Sequence, residues 1–268
     1  MSHRPAPANI AAARPSRHVL GMRVDAVSMD EATRHVIEAA RRREPSYVCV
    51  ANVHMVMEAW DDPTFQGLVN DASMVVADGM PLVWALRALG VTSATRVRGP
   101  DLVWSVTAAA ARAGVPVALY GGAPDVLTTF GRRLQEHAPQ LDIREMISPP
   151  FGARSLDEQA EDVVRLRGSG ARIVLVGLGC PKQERWMAQH HAAMPAVLIG
   201  VGAAFDFHAG RMREAPAWMQ RVGAEWLFRL AQEPRRLWRR YARHNPRFVA
   251  FFALQLLGLS PRRRRGPA

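Results

Sequence analysis

A mostly parallel α/β sheet with helices on both faces, Rossmann-like in plan, is what this sequence predicts. Short apolar runs that read as buried strands alternate with amphipathic stretches of helical spacing and length. The residues with chemical potential, glycines and acids above all, fall directly after those runs. That is where such sheets bind ligands. With 268 residues, and domains of about 100–200, the chain is one large domain or a domain with an appendage. It is long enough to bury a core without staples.

Residues 1–18 are rich in Ala, Pro and Arg, lack the apolar stretch of a signal peptide, and are expected to be a disordered leader. Strands are expected at Ser46–Ala51, Met74–Ala77, Val115–Tyr120, Ala171–Val176 and Ala196–Val201. Helices are expected at Met29–Arg42, Pro100–Ala113, Pro124–His137, Leu156–Arg167 and Lys182–His191, and another begins at Pro81. These make a core over 19–210. A basic helical appendage follows over 211–268.

The charge is divided along the same line. Residues 211–268 carry 14 Arg, no Lys and 3 Glu, so the whole net charge of +11 resides there and the core is neutral. An anion is therefore met mainly by the appendage. The two cysteines, Cys49 and Cys180, lie in apolar or Gly-rich runs, which implies a reducing compartment and offers no zinc-ligand spacing. No apolar window is long enough to span a bilayer, so a cytoplasmic location is expected. No nucleic-acid-binding motif is present, and nucleic acid is not expected as a partner.

The loop after each run has a chemical reading beside a plain one. Gly121-Gly122, ahead of a helix starting at Pro124, lets backbone N–H groups approach a phosphate, or makes an ordinary tight turn. Gly177 and Gly179 precede Pro181 and a helix whose first residues, Lys182 and Gln183, project toward the cleft to meet a sugar hydroxyl or phosphate; the plain reading makes Lys182 and Glu184 solvated first-turn charges. Gly202 opens a segment that lacks the third glycine of a dinucleotide fingerprint, which disfavours NAD. Asp206 either holds a ligand or satisfies backbone donors. Asp78, next to Gly79, is a candidate general base, but the helix at Pro81 makes an N-cap the favoured reading of that spacing. His54 and His208 read as local hydrogen-bonding residues, and His190-His191 lacks a third ligand. No Asp-x-Asp pair occurs, so a bound diphosphate would be neutralised by arginine and no metal is expected.

In the appendage, Arg235, Arg236, Arg239, Arg240 and Arg243 fall within an arc of about 140°, opposite Leu237, Trp238, Tyr241 and Ala242. This amphipathic basic helix suits an anionic membrane surface or packs on the core with a solvated face. Pro246 is expected to kink or end it. Phe248–Leu259 and Arg262–Arg265 follow as an interfacial anchor with a polybasic end. A non-enzymatic adaptor that binds a membrane or polyanion through this tail is the competing class.

Five motifs stand in an order that resembles the WecG/TagA/CpsF family of bacterial glycosyltransferases, across roughly Val19 to Arg247. They are Asp78-Gly-Met80, Arg96-Val-Arg-Gly-Pro-Asp101, Gly177-x-Gly-x-Pro-Lys-Gln-Glu184, Gly202-x-x-Phe-Asp-Phe-x-Ala-Gly210 and Glu225-Trp-Leu-Phe-Arg-Leu-x-x-Glu-Pro-x-Arg236. The resemblance implies an inverting, metal-independent transfer of a sugar from a UDP-sugar to a polyprenyl-diphosphate-linked acceptor in surface polysaccharide assembly, at the inner face of the plasma membrane. It makes Asp78 the general base, overriding the cap, and sets Arg96 at the leaving diphosphate. Asn52, Gly79, Asp101, Lys182 and Gln183 then belong to the substrates. Gly121, Gly122, Gly177, Gly179, Gly202 and Asp206 belong to the nucleotide, over which Arg229, Arg236 and Arg239 close. Trp238, Arg240 and Arg243 are left for the lipid surface, and a homo-oligomer is left open. Where the family carries Thr-x-Asn, this chain has Val50-Ala51-Asn52. The lost hydroxyl leaves the acceptor or the donor identity open, including transfer of a sugar other than N-acetylmannosamine.

Overall fold

The computed structural model describes residues 14–152 and 155–259. It is an α/β structure built on one eight-stranded sheet. The strands are β1 (Ser16–Val19), β2 (Met22–Asp25), β3 (Ser46–Ala51), β4 (Met74–Ala77), β5 (Val117–Gly121), β6 (Ile143–Ile147), β7 (Ile173–Gly177) and β8 (Val197–Gly200). They lie in the order β1-β2-β4-β3-β8-β7-β5-β6. Only β1 runs antiparallel, pairing with β2 through a tight turn at Leu20-Gly21. β3, β4, β5 and β8 are buried at every residue, which is why they read as continuous apolar runs.

The helices are α1 (Met29–Arg42), α2 (Val53–Asp61), α3 (Pro63–Asn70), α4 (Met80–Ala88), α5 (Gly99–Ala113), α6 (Pro124–His137), α7 (Leu156–Gly168) and α8 (Lys182–His190), followed by α9 (Ala204–His208), α10 (Ala217–Arg221), α11 (Glu225–Gln232) and α12 (Pro234–Leu256). Two apolar cores fill the two faces of the sheet. Val36, Val103, Phe130 and Phe205 belong to one, from α1, α5, α6 and α9. Met55, Phe65, Leu82, Trp186 and Phe248 belong to the other, from α2, α3, α4, α8 and α12. Side-chain caps start several helices where the sequence supplies them. Ser28 and Glu31 form a capping box on α1, and Ser155 and Glu158 form one on α7.

Two expectations are corrected and some elements are added. The sheet includes Ser16–Val19, so residues 16–18 belong to the core; the leader before Arg14 lies outside the described residues, as does Arg262–Arg265. The β1–β2 hairpin, the edge strand β6 and the pair α2–α3 were absent from the sequence reading. Of the two outcomes expected at Pro246, an end to the helix is excluded, since α12 runs through the proline to Leu256. Buried Leu237, His244 and Phe248 hold α12 on both sides of the proline. Farther along, Gln255 accepts the Leu20 N–H at 2.8 Å and donates to the His18 carbonyl at 2.7 Å. Each buried apolar anchor contributes about 1.5–3 kcal/mol. Together they offset the roughly 3 kcal/mol that an interior proline costs.

Candidate active site

The sheet brings the ends of β3 and β4 side by side, and the first polar residues after them face one space. Asn52 caps α2, its side-chain oxygen accepting the Met55 N–H at 3.3 Å. The Asp78 N–H donates to the Ala51 carbonyl at 2.8 Å, and Asp78 Oδ1 accepts the Gly99 N–H at 3.1 Å. Asp78 therefore caps α5, whose first residue is Gly99. It does not cap α4, where Gly79 holds the N-cap position with no side-chain bond. Arg96 donates through Nε to the Asp78 carbonyl and through Nη2 to Glu225 Oε2 at 2.6 Å. Burial pushes the Asp78 carboxyl above the usual range. Arg96 and the Gly99 N–H pull against that shift, and Glu225 adds to it.

Asp78 opens onto a cavity of about 700 Å³ between the core and the appendage. Its inner end is polar, with Asn52, Asp78, Arg96, Glu225, Arg229 and Arg240. Its outer walls are apolar, with Trp84, Ala85 and Ala88 from α4 facing Phe248, Phe252 and Leu256 from α12. A charged end and a long apolar wall suit an amphiphile with an anionic head.

Beside the cavity, the ligand atoms of His54, Glu58 and His244 lie within 4.8 Å of one another, the one such group among the described residues. The two Nδ1 atoms are 3.0 Å apart, with ring centroids at 5.0 Å and planes 20° apart, so the rings meet edge to edge in a hydrogen bond. Glu58 Oε1 is 3.7 Å from each histidine. Burial lowers His54 to about 3 and His244 to about 4, helped by the neighbouring arginines, Arg240 at His54 and Arg243 at His244. With each ring bonded to the other and cations on the flank, the geometry is that of a neutral clasp joining α2 to α12.

A profile of the glycosyl transferase WecG/TagA/CpsF family matches residues 17–262. The chain belongs to that family. Membership makes it a glycosyltransferase of cell-surface polysaccharide synthesis, and places it as an enzyme rather than an adaptor.

In this WecG/TagA/CpsF glycosyltransferase the expected site residues fall into three groups. Asn52, Asp78, Gly79, Arg96, Arg229 and Arg240 line the cavity. Arg240 was expected at the lipid surface. It lies inside instead, because α12 turns that side toward the core, and its Nε is buried. A second group gathers at the carboxyl ends of β5, β7 and β8. Gly121 adopts φ +121, and a Cβ there would come within 2.6 Å of Gly177, so close strand packing requires that glycine. Gly122 and Gly177 both pack against Phe205. Asp206 stands close by, pushed up by burial and pulled down by Arg236, Arg211 and Arg229, and the Arg229 guanidinium lies 5.4 Å from the Phe207 ring.

The remaining residues are not brought to the cavity. Gln183 was expected to project into the cleft, but it is 3% exposed. It faces the backbone of Gly200 and Gly202, accepts the Gly179 N–H at 3.3 Å and donates to Glu184 at 2.6 Å. Lys182 is exposed at the start of α8. Asp101 is exposed and pairs with Arg98 at 3.1 Å. Arg236 pairs with Glu233, Arg239 packs its guanidinium on Trp238, and Arg243 pairs with Asp61 at 3.0 Å. Trp238, expected at the lipid surface, is 52% exposed, whereas Leu237 beside it is buried. Sequence reasoning missed Glu225, Arg98 and His244. The first two sat inside quoted motifs without a role. The third showed its partner only once α12 was seen to dock on α2.

Proposed function

We propose that this glycosyltransferase moves a sugar from a UDP-sugar to a polyprenyl-diphosphate-linked acceptor, with inversion and without a metal ion. The observation that carries the reading is Asp78 at the inner end of a cavity with apolar walls and cationic side chains beside the carboxylate. Asp78 takes the proton from the acceptor hydroxyl as its oxygen attacks the anomeric carbon, and the bond to the UDP oxygen breaks on the opposite side. A raised carboxyl suits that role, since it holds a proton more strongly than an exposed aspartate. Arg229, Arg240 and Arg96 stabilise the departing diphosphate as fixed positive charge, a term worth several kcal/mol. Gly121, Gly122, Gly177, Gly179 and Gly202, with Asp206, Arg236 and Arg239, are proposed at the nucleotide. Asn52 and Gly79, which line the cavity, are proposed at the sugars, while Asp101, Lys182 and Gln183 stand away from it and take no part in the step. The apolar walls receive the first units of the lipid, and Trp238 and Arg243 meet the surface of the membrane.

The test is UDP release from a panel of UDP-sugars with a short-chain polyprenyl-diphosphate-sugar acceptor and EDTA present. Acceptor-dependent release with one donor is expected. Asp78→Asn is expected to lower kcat by about 10²–10⁴-fold. In the native enzyme, kcat/KM falls as pH drops through the raised value of Asp78, because the protonated carboxyl cannot accept a proton. Undiminished turnover of Asp78→Asn would remove Asp78 as the base. Release that requires added divalent ion would remove the metal-independent step.

A further inference from the structure

The cavity holds more positive charge than it has acceptors for. Among the described residues, the Nε atoms of Arg98, Arg229 and Arg240 are buried without a hydrogen-bond acceptor, and Arg229 and Arg240 line the cavity. Glu225, in the first turn of α11, and Asp78 are the acidic residues of that lining. Glu225 Oε2 lies 2.6 Å from Arg96 Nη2 and Oε1 lies 3.8 Å from Arg98 Nη2, so one carboxylate spans two guanidinium groups. Forked guanidinium donors hold the oxygens of a carboxylate or of a phosphoryl group alike. Arg96 is fixed independently by its Nε bond to the Asp78 carbonyl, and Arg98 by Asp101 and Glu214. The two cations therefore keep their places whichever anion lies between them.

We infer that the Glu225 carboxylate is an internal stand-in for a phosphoryl group, and that a phosphorylated ligand binds at Arg96 and Arg98 by exchanging with it. The inference rests on the reading that the cavity receives a diphosphate. Exchange releases the first turn of α11 from the loop that carries Arg96, while α12 stays anchored through Leu237 and Phe248. An incoming anion must displace an acceptor that is already in position, so the contact weakens binding of every anionic ligand until it is exchanged.

Calorimetric titration of the full chain with inorganic pyrophosphate tests this. Glu225→Gln removes the competing charge and is expected to bind pyrophosphate roughly five- to tenfold more tightly than the native protein. Glu225→Asp withdraws the carboxylate by one methylene and is expected to give an intermediate gain, which covers the case in which the glutamine protein does not fold. Glu38→Gln, an exposed change on α1 that alters net charge equally, is expected to leave the affinity unchanged. Equal or weaker binding by both Glu225 variants would make Glu225 a strut that holds Arg96 and would overturn the exchange, as would absence of pyrophosphate binding by every protein. A gain in Glu225→Gln alongside no turnover with any UDP-sugar would overturn the transferase mechanism and leave the stand-in intact.

Discussion

Glu184 is fully buried under the sheet ends at 0% exposure. Burial pushes its carboxyl up to about 7, against the pull of the Gln183 amide, and its Oε2 has no hydrogen-bond partner. An acid with a raised folded-state value makes the fold pH-dependent in a fixed direction. Below about 4.5 both folded and unfolded chains hold the proton. Between there and about 7 the unfolded chain releases it and the folded chain does not, so stability declines as pH rises and then levels off. The loss at pH 8 is on the order of 3 kcal/mol. Glu184→Gln keeps the acceptor for Gln183 and removes the titration. It is expected to stabilise the protein by up to about 3 kcal/mol at pH 8 and very little at pH 5, which urea melts at the two values will read. The buried placement of Gln183 had a signal in the sequence. Trp186 and Met187 mark the apolar side of α8, and residues three and four positions earlier share that side. Polar residue types alone gave no phase, so Gln183 read as facing the cleft and Glu184 as a solvated first-turn charge, when both are buried.

At the scale of elements, strands buried on both faces were legible with boundaries within two residues at most positions, because no side of them had to be polar. The β1–β2 hairpin and β6 were not. Each has exposed or half-exposed positions, and four or five residues with mixed polarity carry too little pattern to separate from loop. Pro246 misled for a different reason. Its cost is local, whereas the anchors that hold α12 are tertiary and lie up to nine residues to either side. One of those anchors is proton-sensitive. His54 and His244 are held neutral, at about 3 and about 4, by burial and by Arg240 and Arg243. A histidine lowered in the fold contributes stability that is present above its unfolded value near 6.5 and lost as pH falls below it. Acidification to pH 5 is therefore expected to loosen α12 from α2. Hydrogen exchange, corrected for the intrinsic pH effect, should show faster exchange along residues 237–248 at pH 5 than at pH 7.5. His244→Phe fills the same space without titrating and is expected to remove about half of that difference, since His54 still takes up a proton on unfolding.

At the scale of the whole molecule, the charge division along the chain becomes a division in space. The arginines that the sequence assigned to one helix face separate into Arg240, which joins Arg229 of α11 in the cavity lining, and Arg235, Arg236, Arg239 and Arg243, which lie outside it. Among the described residues no helix is long and apolar enough to cross a membrane, yet the rim of the cavity is apolar and open. Trp84 from α4, Val222 ahead of α11, and Val249 and Leu256 from α12 line the cavity while remaining exposed, Val249 to 66%. Leu257 continues that surface at 72% exposure. An apolar rim bordered by cations fits the interface of an anionic bilayer, where burial of the rim and attraction to headgroups act together. The two contributions are separable. Raising salt screens charge over a Debye length of about 10 Å at 0.1 M and leaves apolar burial in place. Vesicles containing phosphatidylglycerol are expected to bind the protein more tightly than vesicles of phosphatidylcholine alone, with the difference shrinking as salt rises. Val249→Asp and Leu256→Asp together are expected to weaken sedimentation with either vesicle by at least about tenfold, the scale of one or two buried aliphatic side chains. Arg235→Gln with Arg243→Gln is expected to weaken only the anionic case. If the aspartate pair binds as the native protein does, the rim stays in water, and the lipid reaches the Asp78 end of the cavity through contacts made by the arginines alone.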